Sequence, residues 1–517
     1  MITTIQNRAT TGKVMSLSTL LSALMAAFML LAAAAQLAAP AVAATTFAVD
    51  RNDDPDPATA NACTDAPEDC SLRGAIVAAN AATGEDAITV PAGTYTLTRA
   101  GADEGLASTG DLNVKGELTI NGAGARTTSV SGGPVPFDDR IFEIQPGVKA
   151  TITGLTITGG DVGGYEGGGV RNHGDLTLER VDVKDNAALS GGGIDSRGGD
   201  LTLDGVTVKG NTSTTGYGGG IYSEKGTLNM TDSTVSGNSA ETGGGLSHYS
   251  GTANITNSTI SGNKADLSGG GLLAGSASMN VRNSTIASNT SGGLGGGILT
   301  VGASSTVVVK NTIVAGNSLV NCGDFGQAGG VIFSQGNNIS SDDSCHFIEP
   351  TDRQDTNPRL GPLQDNGGPT DTHALLPRSP AIDAAGASAC PSRDQRGVAR
   401  KDGNGDGTVV CDVGAFEAPT NTRPTISNPR PAPGSTTRDR TPSIAATVRD
   451  TQSDLAKPDI KLFVDGNRRD FSYDRSTDRL SFTPGSGLTF GKHTVKVMAD
   501  DSVLSATRSW SFSVVRG

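Results

Sequence analysis

The chain has 517 residues, a formal net charge of −13, and 71 glycines beside 13 phenylalanines, six tyrosines and one tryptophan. So many glycines and so few large side chains predict a fold rich in turns, whose core is a thin set of aliphatic rows. The acidic balance, with no basic patch evident in the sequence, argues against nucleic acid as a partner, because negative charges repel phosphates at long range.

The first 44 residues have the composition of a removable export signal. They contain Arg8 and Lys13, no acidic residue, and an apolar run from Leu20 to Leu37 that is followed by small residues at 41–43. This order is typical of a secretory signal peptide, with a membrane anchor as the alternative. Its removal changes the net charge from −13 to −15. We therefore predict a secreted or cell-surface protein, monomeric and without a transmembrane segment in its mature form.

Six cysteines form three local pairs, and all lie outside the most regular part of the chain, residues 167–317. An even number of cysteines in an exported chain is typical of disulfides. No CxxC spacing indicates a metal site. The predicted bonds join Cys63 with Cys70, Cys322 with Cys345, and Cys390 with Cys411.

Residues 45–86 are predicted to form an N-terminal cap. Leu72, Ile76 and Ala79 recur at helical spacing, which favours a short amphipathic helix. Such a helix would cover the open end of a solenoid, which otherwise exposes unpaired backbone. The motif CSLRGAI at 70–76 resembles the CSLREA domain of bacterial surface proteins, with Gly74 in place of the usual glutamate.

Residues 87–350 contain a repeat that organises the chain. Between 167 and 317 each copy begins with three glycines and an aliphatic residue, and its asparagine follows the previous one by 25 to 28 residues. Within a copy, apolar residues two positions apart, such as Leu201 with Leu203, predict half-buried strands. Three short strands per copy, with no helix between them, predict an all-β fold. We expect a right-handed parallel β-helix of about ten coils, roughly 50 Å long at the usual strand spacing.

The glycines and asparagines of the repeat are predicted to be structural. Glycine permits positive φ and a close approach of neighbouring coils. Asparagine side chains at one position of successive coils can hydrogen-bond to each other as a ladder. The predicted ladder consists of Asn186, Asn211, Asn238, Asn263, Asn289 and Asn317.

Residues 351–418 contain four short motifs in order. They are NGGPTDTHALLP from 366, SPAID from 379, DQRG from 394 and CDVGAFE from 411. The combination resembles the choice-of-anchor Q region that follows β-helix repeats in many bacterial surface proteins. This resemblance implies a C-terminal cap, normally followed by a variable surface-attachment element, and it implies no activity. Within the motif, His373 is expected to bond to the backbone.

Residues 419–517 are predicted to be a proline-rich linker followed by an immunoglobulin-like β-sandwich. Five prolines lie between 419 and 433, and such a composition is typical of a stiff spacer. Strand-like stretches follow at 443–448, 460–464, 480–483, 493–499 and 508–515, a spacing typical of a sandwich. The pattern resembles bacterial Ig-like modules, and Trp510 is the expected core residue.

A parallel β-helix is also the fold of pectate lyases and polygalacturonases, so catalysis has to be considered. Such reactions need carboxylates, or a calcium-bound polyuronate with an arginine or lysine base, facing one groove. The candidates are Asp161, Glu166, Arg171 and His173 near one corner, and Asp182, Asp185 and Asp195 one coil on. We interpret them as a solvated acidic face. No carboxylate cluster recurs with an arginine or lysine at the corresponding position of the next coil, and the regular coils contain only four tyrosines.

One loop has the spacing of a calcium site. Asp402, Asn404 and Asp406, followed by Gly407, match positions one, three, five and six of an EF-hand loop. Position twelve is Val413, where a bidentate glutamate belongs. The alternatives are a structural calcium ion and an Asn/Asp/Gly turn held by the nearby disulfide. No other cofactor is predicted.

Together these patterns favour display over catalysis. We predict an exported cell-surface or extracellular protein whose β-helix presents a binding face for a glycan, or for a ligand on a host or neighbouring surface, in adhesion without catalysis. The alternative is a polysaccharide lyase or glycoside hydrolase of the pectin-lyase-like fold. A purely structural envelope spacer is the third hypothesis.

Overall fold

The strands of this protein stack in register from one turn of the chain to the next. The computed structural model describes residues 44–56, 62–64, 66–101, 105–133, 137–324, 330–386, 390–401, 409–452, 455–502 and 504–517. Successive strands of each solenoid sheet come from successive turns of the chain and pair in parallel. The predicted parallel β-helix is confirmed.

Three long sheets form the walls of the solenoid. The first sheet has eleven strands: Thr46–Ala48, Asp86–Val90, Leu118–Gly122, Lys149–Thr153, Asp175–Glu179, Leu201–Asp204, Thr227–Thr231, Thr252–Thr256, Ser278–Arg282, Thr306–Lys310 and Val331–Ser334. The second has ten: Gly93–Leu97, Thr128–Gly132, Thr156–Thr158, Asp182–Lys184, Thr207–Lys209, Thr234–Ser236, Thr259–Ser261, Thr285–Ala287, Ile313–Ala315 and Ile339–Ser340. The third has nine: Leu112–Val114, Phe142–Ile144, Val170–Asn172, Ile194–Arg197, Ile221–Glu224, Leu246–Tyr249, Leu272–Gly275, Ile298–Val301 and Cys322–Asp324.

A fourth, shorter sheet adds a strand to the predicted three per coil. Its five strands are Ala187–Ala188, Thr212–Ser213, Ser239–Thr242, Lys264–Ser268 and Thr290–Ser291. They follow the second-sheet strand of each coil and precede the glycine triplet. The sequence does not predict these strands because they are short and mostly polar, without the apolar alternation that marks a half-buried strand.

Alternation along the strands places one set of side chains inside the solenoid. In the first sheet Leu178, Leu203, Met230, Ile255 and Val281 are paired in register, and all are buried. Corresponding rows from the second and third sheets complete one aliphatic core. Because each coil contacts only its neighbours, stability is distributed along the solenoid as a sum of coil-to-coil interfaces.

A helix at Leu72–Ala81 packs against the first coils, as its spacing predicts. The Ser71 side chain accepts a hydrogen bond from Gly74 N at 3.0 Å and caps the helix. Gly74 is the third residue of the helix, where a glutamate would complete a capping box by bonding to the N-cap N–H. With glycine at this position, only one half of that box is present.

Residues 355–418 run along the side of the solenoid, against the outer face of the second sheet. Gln395 Nε2 donates to Thr234 Oγ1 at 2.8 Å, and Thr259 Oγ1 donates to Gln395 Oε1 at 2.6 Å. Gly414 N donates to Asn311 O at 2.9 Å, several coils further on. This lateral position differs from a cap over the solenoid end. The outward hydroxyls of the second sheet make it possible, because those of Thr234, Thr259, Ser261 and Thr285 hydrogen-bond to this segment and these residues are buried.

Two strands of this segment, Leu360–Gln364 and Thr372–Leu375, form an antiparallel hairpin. His373 lies on the hairpin, and its two ring nitrogens bond to Gly361 O at 2.7 Å and to Ser261 Oγ at 2.8 Å. It therefore bonds to the backbone, as expected, and also joins the hairpin to the second sheet.

The chain from Thr425 to Val514, which we call the C-terminal sandwich, forms two sheets. One contains Thr425–Arg430, Ile444–Arg449, Arg479–Phe482 and Ser472–Asp474. The other contains Thr436–Thr437, Ser505–Val514, Gly491–Asp500, Ile460–Val464 and Asn467–Arg469. Trp510 is buried in the core that they share, as predicted.

The first strand of the sandwich, Thr425–Arg430, lies inside the stretch predicted as a linker, so that prediction is wrong here. Its pairing with Ile444–Arg449 shifts register between Ser427 and Arg430. An irregular edge of this kind tolerates Pro429, which has no N–H to donate. No helix among the described residues is long and apolar enough to cross a membrane.

One titratable side chain occupies the inner row of the third sheet. His248 is fully buried, and neither ring nitrogen has a hydrogen-bond partner in the described part of the chain. Burial lowers the pKa of His248 to about 4, with a weak opposing influence of the Gly251 backbone. The folded protein therefore holds this imidazole neutral.

This burial predicts a pH dependence of stability. The pKa of His248 is 6.5, the ordinary histidine value, in the unfolded chain and about 4 in the folded chain. Between these two pH values the unfolded chain binds a proton at His248 that the folded chain does not bind. The free energy of unfolding should therefore fall as the pH decreases through this window, by about 3 kcal/mol in total. Burial raises the pKa of Asp195, which acts in the opposite direction. Denaturant titrations at pH 7 and pH 4.5 therefore measure the difference in the free energy of unfolding between wild type and His248→Leu, and this difference should change with pH. A difference independent of pH would contradict the prediction.

Candidate functional site

The asparagine ladder lies inside the solenoid. From Asn186 to Asn317, each Nδ2 donates to the Oδ1 of the asparagine one coil further on, at 2.9 to 3.0 Å. Each also donates to a carbonyl of the preceding coil, as Asn238 does to Val208 O at 3.0 Å. A Cβ on Gly220 would lie 2.9 Å from Asn238 Nδ2, so the third glycine of the triplet is required by close packing. Ladder and glycines are occupied in holding coils together.

All three predicted disulfides are formed: Cys63 with Cys70, Cys322 with Cys345, and Cys390 with Cys411. The proposed calcium ligands Asp402, Asn404 and Asp406 lie outside the described residues. Within the described part of the chain, no group of three or more His, Cys, Asp or Glu side chains is placed to hold a metal ion.

The acidic candidates divide into two groups. Glu166, Arg171, His173 and Asp195 come together at the outer face of the third sheet. The others lie elsewhere: Asp161 bridges to Ala187 beside the fourth sheet, whereas Asp182, on the second sheet, and Asp185, in the turn after it, line one pocket of about 370 Å³ with Lys184, Lys209 and Asp371. The structure therefore brings four of the candidates together on the third sheet and two on the second.

A line of alternating charges crosses three coils of the third sheet. Glu143, Arg171 and Asp195 are paired in register on successive strands. Arg171 lies 3.7 Å from Glu143 and 3.8 Å from Glu166, measured between side-chain nitrogen and oxygen. The sequence predicts no carboxylate cluster that recurs with an arginine or lysine at the corresponding position of the next coil. The strand register nevertheless places Arg171 between single carboxylates, Glu143 and Asp195, of the two neighbouring coils. The intervals within this line are 28 and 24 residues, so a constant repeat length does not align it.

Arg197 joins this line to an aromatic cluster. Its Nε and Nη2 donate to the two carboxylate oxygens of Asp195 at 2.9 and 3.1 Å. The Nη2 atom also lies 3.5 Å from Glu166 Oε1. The guanidinium carbon is 4.9 Å from the ring centroid of Tyr222, whose hydroxyl donates to Glu224 at 3.2 Å. A bidentate carboxylate and an aromatic face thus fix the orientation of Arg197.

Three tyrosines contact each other beside Arg197. The ring centroids are 6.3 Å apart for Tyr217 and Tyr222, 5.3 Å for Tyr217 and Tyr249, and 5.8 Å for Tyr222 and Tyr249. Tyr222 and Tyr249 lie on adjacent strands, and Tyr217 lies in the loop before Tyr222. Tyr217 is 43% exposed, so the cluster has an open face. The ring of Tyr249 covers Gly275, where a Cβ would lie 2.4 Å from it.

We call this surface the platform, and it consists of Glu166, Arg171, Asp195, Arg197, Tyr217, Tyr222, Glu224 and Tyr249. Five of its members, the three tyrosines, Arg197 and Glu224, are not apparent as a site from the sequence. Tyr222 pairs with Ser247, so Tyr249 lies two positions further along its strand. The number of tyrosines in each coil therefore does not reveal this contact. The pairing of residues between the two strands is needed to predict it.

Burial changes the acid–base behaviour of the platform. It raises the pKa of Asp195 to about 6, against the opposing effect of Arg197. It also raises the pKa of Tyr222 and of Tyr249, so both hydroxyls remain neutral donors. The pKa of His173, beside the platform, is lowered by burial. Asp195 is 0% exposed, so this carboxylate can orient Arg197 but is not open to a ligand.

A groove of about 820 Å³ lies elsewhere, between the second sheet and the hairpin at 360–375. Its floor contains Ser236, Ser261 and Ala287, and its described lining includes no carboxylate. Among its described lining residues Lys209 is the charged one, so the groove lacks the pair of carboxylates that acid–base cleavage of a glycoside requires. The platform, in contrast, combines aromatic rings, cations and carboxylates on one open surface.

The chain was compared with known proteins and with solved structures. No protein-family model matches the chain, and no curated protein matches it. A solved structure, the crystal structure of pectate lyase Pel9A, matches over 74% of this chain and 98% of that chain, with 16% identity and a TM-score of 0.39. The resemblances to the CSLREA and choice-of-anchor Q regions remain predictions from their motifs.

Proposed function

We propose that this chain is an exported extracellular or cell-surface protein that binds a glycan on the platform without cleaving it. The observation that carries the proposal is the contact of Tyr217 and Tyr222 on one coil with Tyr249 on the next, beside the oriented guanidinium of Arg197. The solenoid acts as a rigid scaffold, since the rings are held by strands whose register is set by the core.

The chemistry of the platform suits a sugar ring. Exposed aromatic faces pack against the apolar C–H faces of sugars, while a tyrosine hydroxyl remains available at the wet edge. Arg171, Arg197, Glu166 and Glu224 offer donors and acceptors around the rings. Rigid aromatic side chains lose little conformational entropy on binding, which favours affinity.

Export is supported by covalent and sequence features. Three disulfides form in the structure, and such bonds are typical of oxidising compartments. The basic, apolar and small-residue order of residues 1–44 is typical of a secretory signal. The motif resemblances suggest a bacterial surface protein, and adhesion is the function that such display would serve.

The alternative, a polysaccharide lyase or glycoside hydrolase, has one observation in its favour. Asp195 has a pKa raised to about 6, as a general acid requires. However, its carboxylate is buried and both oxygens accept from Arg197. A glycosidic oxygen cannot reach it in this arrangement. Binding without bond cleavage is therefore the better-supported function.

The test measures retention and cleavage together. We expect the wild-type protein to bind members of a glycan array, and the Tyr217→Ala and Tyr249→Ala variants to bind about 10-fold or more weakly, because a lost aromatic contact of this kind costs about 1 to 3 kcal/mol. Isothermal titration calorimetry with the best glycan gives the affinities, and release of reducing ends or of unsaturated products reports cleavage.

Phe333→Ala is the control, because Phe333 is also an aromatic residue, is 52% exposed, and lies on the last strand of the first sheet, away from the platform on the third sheet. Its affinity should stay within about two-fold of wild type. Equal losses in the two tyrosine variants and in this control would contradict the platform as the site. Turnover by wild type that is abolished in Glu166→Gln would instead support the catalytic alternative.

A further inference from the structure

The region that contains the solenoid, residues 45–418, and the C-terminal region, residues 419–517, carry net charges of opposite sign. Residues 45–418 contain 23 basic and 43 acidic residues, a net charge of −20, whereas residues 419–517 contain 15 basic and 10 acidic residues, a net charge of +5. The overall acidic balance therefore conceals a basic C-terminal region. The sequence shows the excess, but not whether the cations share a surface.

Four of these fifteen basic residues lie on the outer face of the five-stranded sheet of the C-terminal sandwich. Phe463 is paired directly with Lys496 on one side and with Arg468 on the other. Directly paired residues of antiparallel strands project from the same side of a sheet. Lys461 lies two residues before Phe463 on one strand, and Lys492 lies four residues before Lys496 on the other. Because both separations are even, these two lysines project from the same side of the sheet as Phe463 and Lys496. The intervening residues Leu462, Val464, Val495 and Val497 are buried in the sandwich core.

We define the basic face as Lys461, Phe463, Arg468, Lys492 and Lys496. The ammonium group of Lys496 lies 6.0 Å from the ring centroid of Phe463, which is only half-buried. None of its four cations has a carboxylate partner within 4.0 Å among the residues that the structure describes. The charges of these four cations are therefore not neutralised by a described carboxylate, whereas Arg171 and Arg197 of the platform are each paired with one.

The nearest acidic side chains have other partners. Asp465 accepts from Thr494 N and pairs with His493 Nδ1 at 2.7 Å. Asp470 pairs with Lys457 at 2.7 Å. On the two long strands, Gly491–Asp500 and Ser505–Val514, the other residues that project from this side carry hydroxyl groups or are apolar. Asp500, at the end of its strand, is the exception. The face is thus flat, basic and centred on an aromatic ring.

We propose that the basic face binds an anionic polysaccharide, one whose sugars carry carboxylate or sulfate groups. Lysine and arginine supply charge complementarity to the acidic groups, and Phe463 supplies a surface for a sugar ring. The same polymer is repelled by the acidic solenoid, so it approaches from the sandwich end. At physiological ionic strength charges interact over about 8 Å, so carboxylates farther than this from the basic face contribute little repulsion. The site is separate from the platform and does not rest on its proposed function.

Binding to alginate, a polyuronate, tests the inference on the full-length protein, with neutral dextran as the uncharged polymer. We expect wild type to bind alginate at 50 mM NaCl, to bind it at least about 10-fold more weakly at 300 mM because salt screens the contacts, and not to bind dextran. The Lys461→Glu/Lys492→Glu/Lys496→Glu variant should bind at least about 10-fold more weakly than wild type.

The matched control is Lys149→Glu/Lys225→Glu/Lys264→Glu, which makes the same change in net charge with three lysines of the solenoid whose side chains are 64% to 70% exposed. It should bind within about two-fold of wild type, and both variants should retain the wild-type circular dichroism and melting temperature. Equal loss in the two variants would overturn the inference, because it would show an effect of net charge alone.

Two further probes decide the class of partner. Duplex DNA and vesicles that contain 30% phosphatidylglycerol are also negatively charged. Their charges are phosphates, whereas those of alginate are carboxylates on a polysaccharide chain. Binding to either that exceeds binding to alginate would overturn the polysaccharide assignment in favour of nucleic acid or membrane.

Discussion

Replacement of Arg73 by methionine is expected to lower the free energy of unfolding of the N-terminal coils by about 3 to 5 kcal/mol. Arg73 is almost fully buried, and its Nε and Nη2 donate to Asp54 at 2.6 and 3.1 Å. Its remaining hydrogen bonds go to the carbonyls of Ala107, Gly110 and Asp111 at 2.8 to 3.2 Å. Methionine fills the apolar part of the space but leaves a buried carboxylate and three carbonyls without their donor.

The measurement is denaturant unfolding, combined with amide hydrogen exchange of the helix Leu72–Ala81, whose protection should fall first. Arg126→Met is the control, because the Arg126 side chain is 77% exposed and its ion pair with Asp365 is long at 3.4 Å; its effect should be below about 1 kcal/mol. The double variant Arg73→Met/Asp54→Leu should recover part of the loss, since both charges are then removed. A stability unchanged by Arg73→Met would show that the cap is held by apolar contacts alone.

Asn238→Ala is expected to destabilise the middle of the solenoid by about 3 to 5 kcal/mol. The Asn238 side chain donates to Val208 O and Asn263 Oδ1, and it accepts from the side chain and backbone N–H of Asn211, all at 2.9 to 3.0 Å. Its removal leaves several buried polar groups without a partner, each costing about 1 to 3 kcal/mol. The lesion lies at one interface of a chain whose stability is carried from coil to coil.

Asn229→Ala provides the matched control for the ladder. Asn229 is on the same coil but faces outward from the first sheet, where its Oδ1 accepts from Asn254 Nδ2 at 2.9 Å and it is only half-buried. We expect a loss below about 1 kcal/mol, because water replaces the bond. Equal losses for the two variants in denaturant unfolding would mean that the inner ladder contributes no more than an exposed hydrogen bond.

Features that depend on local pattern are predictable from this sequence. The helix at Leu72–Ala81 follows from the spacing of Leu72, Ile76 and Ala79, and the disulfides join cysteines that are close in sequence. The role of Arg73 within the same helix is not predictable in this way. Its partners include a carboxylate 19 residues earlier and carbonyls 34 to 38 residues later, and irregular segments separate them.

The basic face and the platform illustrate the same limit. Lys461 and Lys496 belong to one surface only because their strands are neighbours in the sandwich, with Phe463 between them. A net charge of −13 hides that surface, because the solenoid contributes most of the acidic residues. Likewise, Glu143, Arg171 and Asp195 meet on adjacent strands although the intervals between them differ.

The sequence by itself determined the solenoid, because a repeated strand alternation and a glycine–asparagine phrase can bury their apolar rows only by stacking coil on coil. It also determined where the disulfides and the helical cap lie, since those depend on near neighbours in the chain. Only the tertiary structure decided which outward side chains meet and that residues 355–418 cover the second sheet. The physical reason is that coil length varies with each turn loop, so contacts across coils depend on the hydrogen-bonded register of the strands and not on distance along the chain.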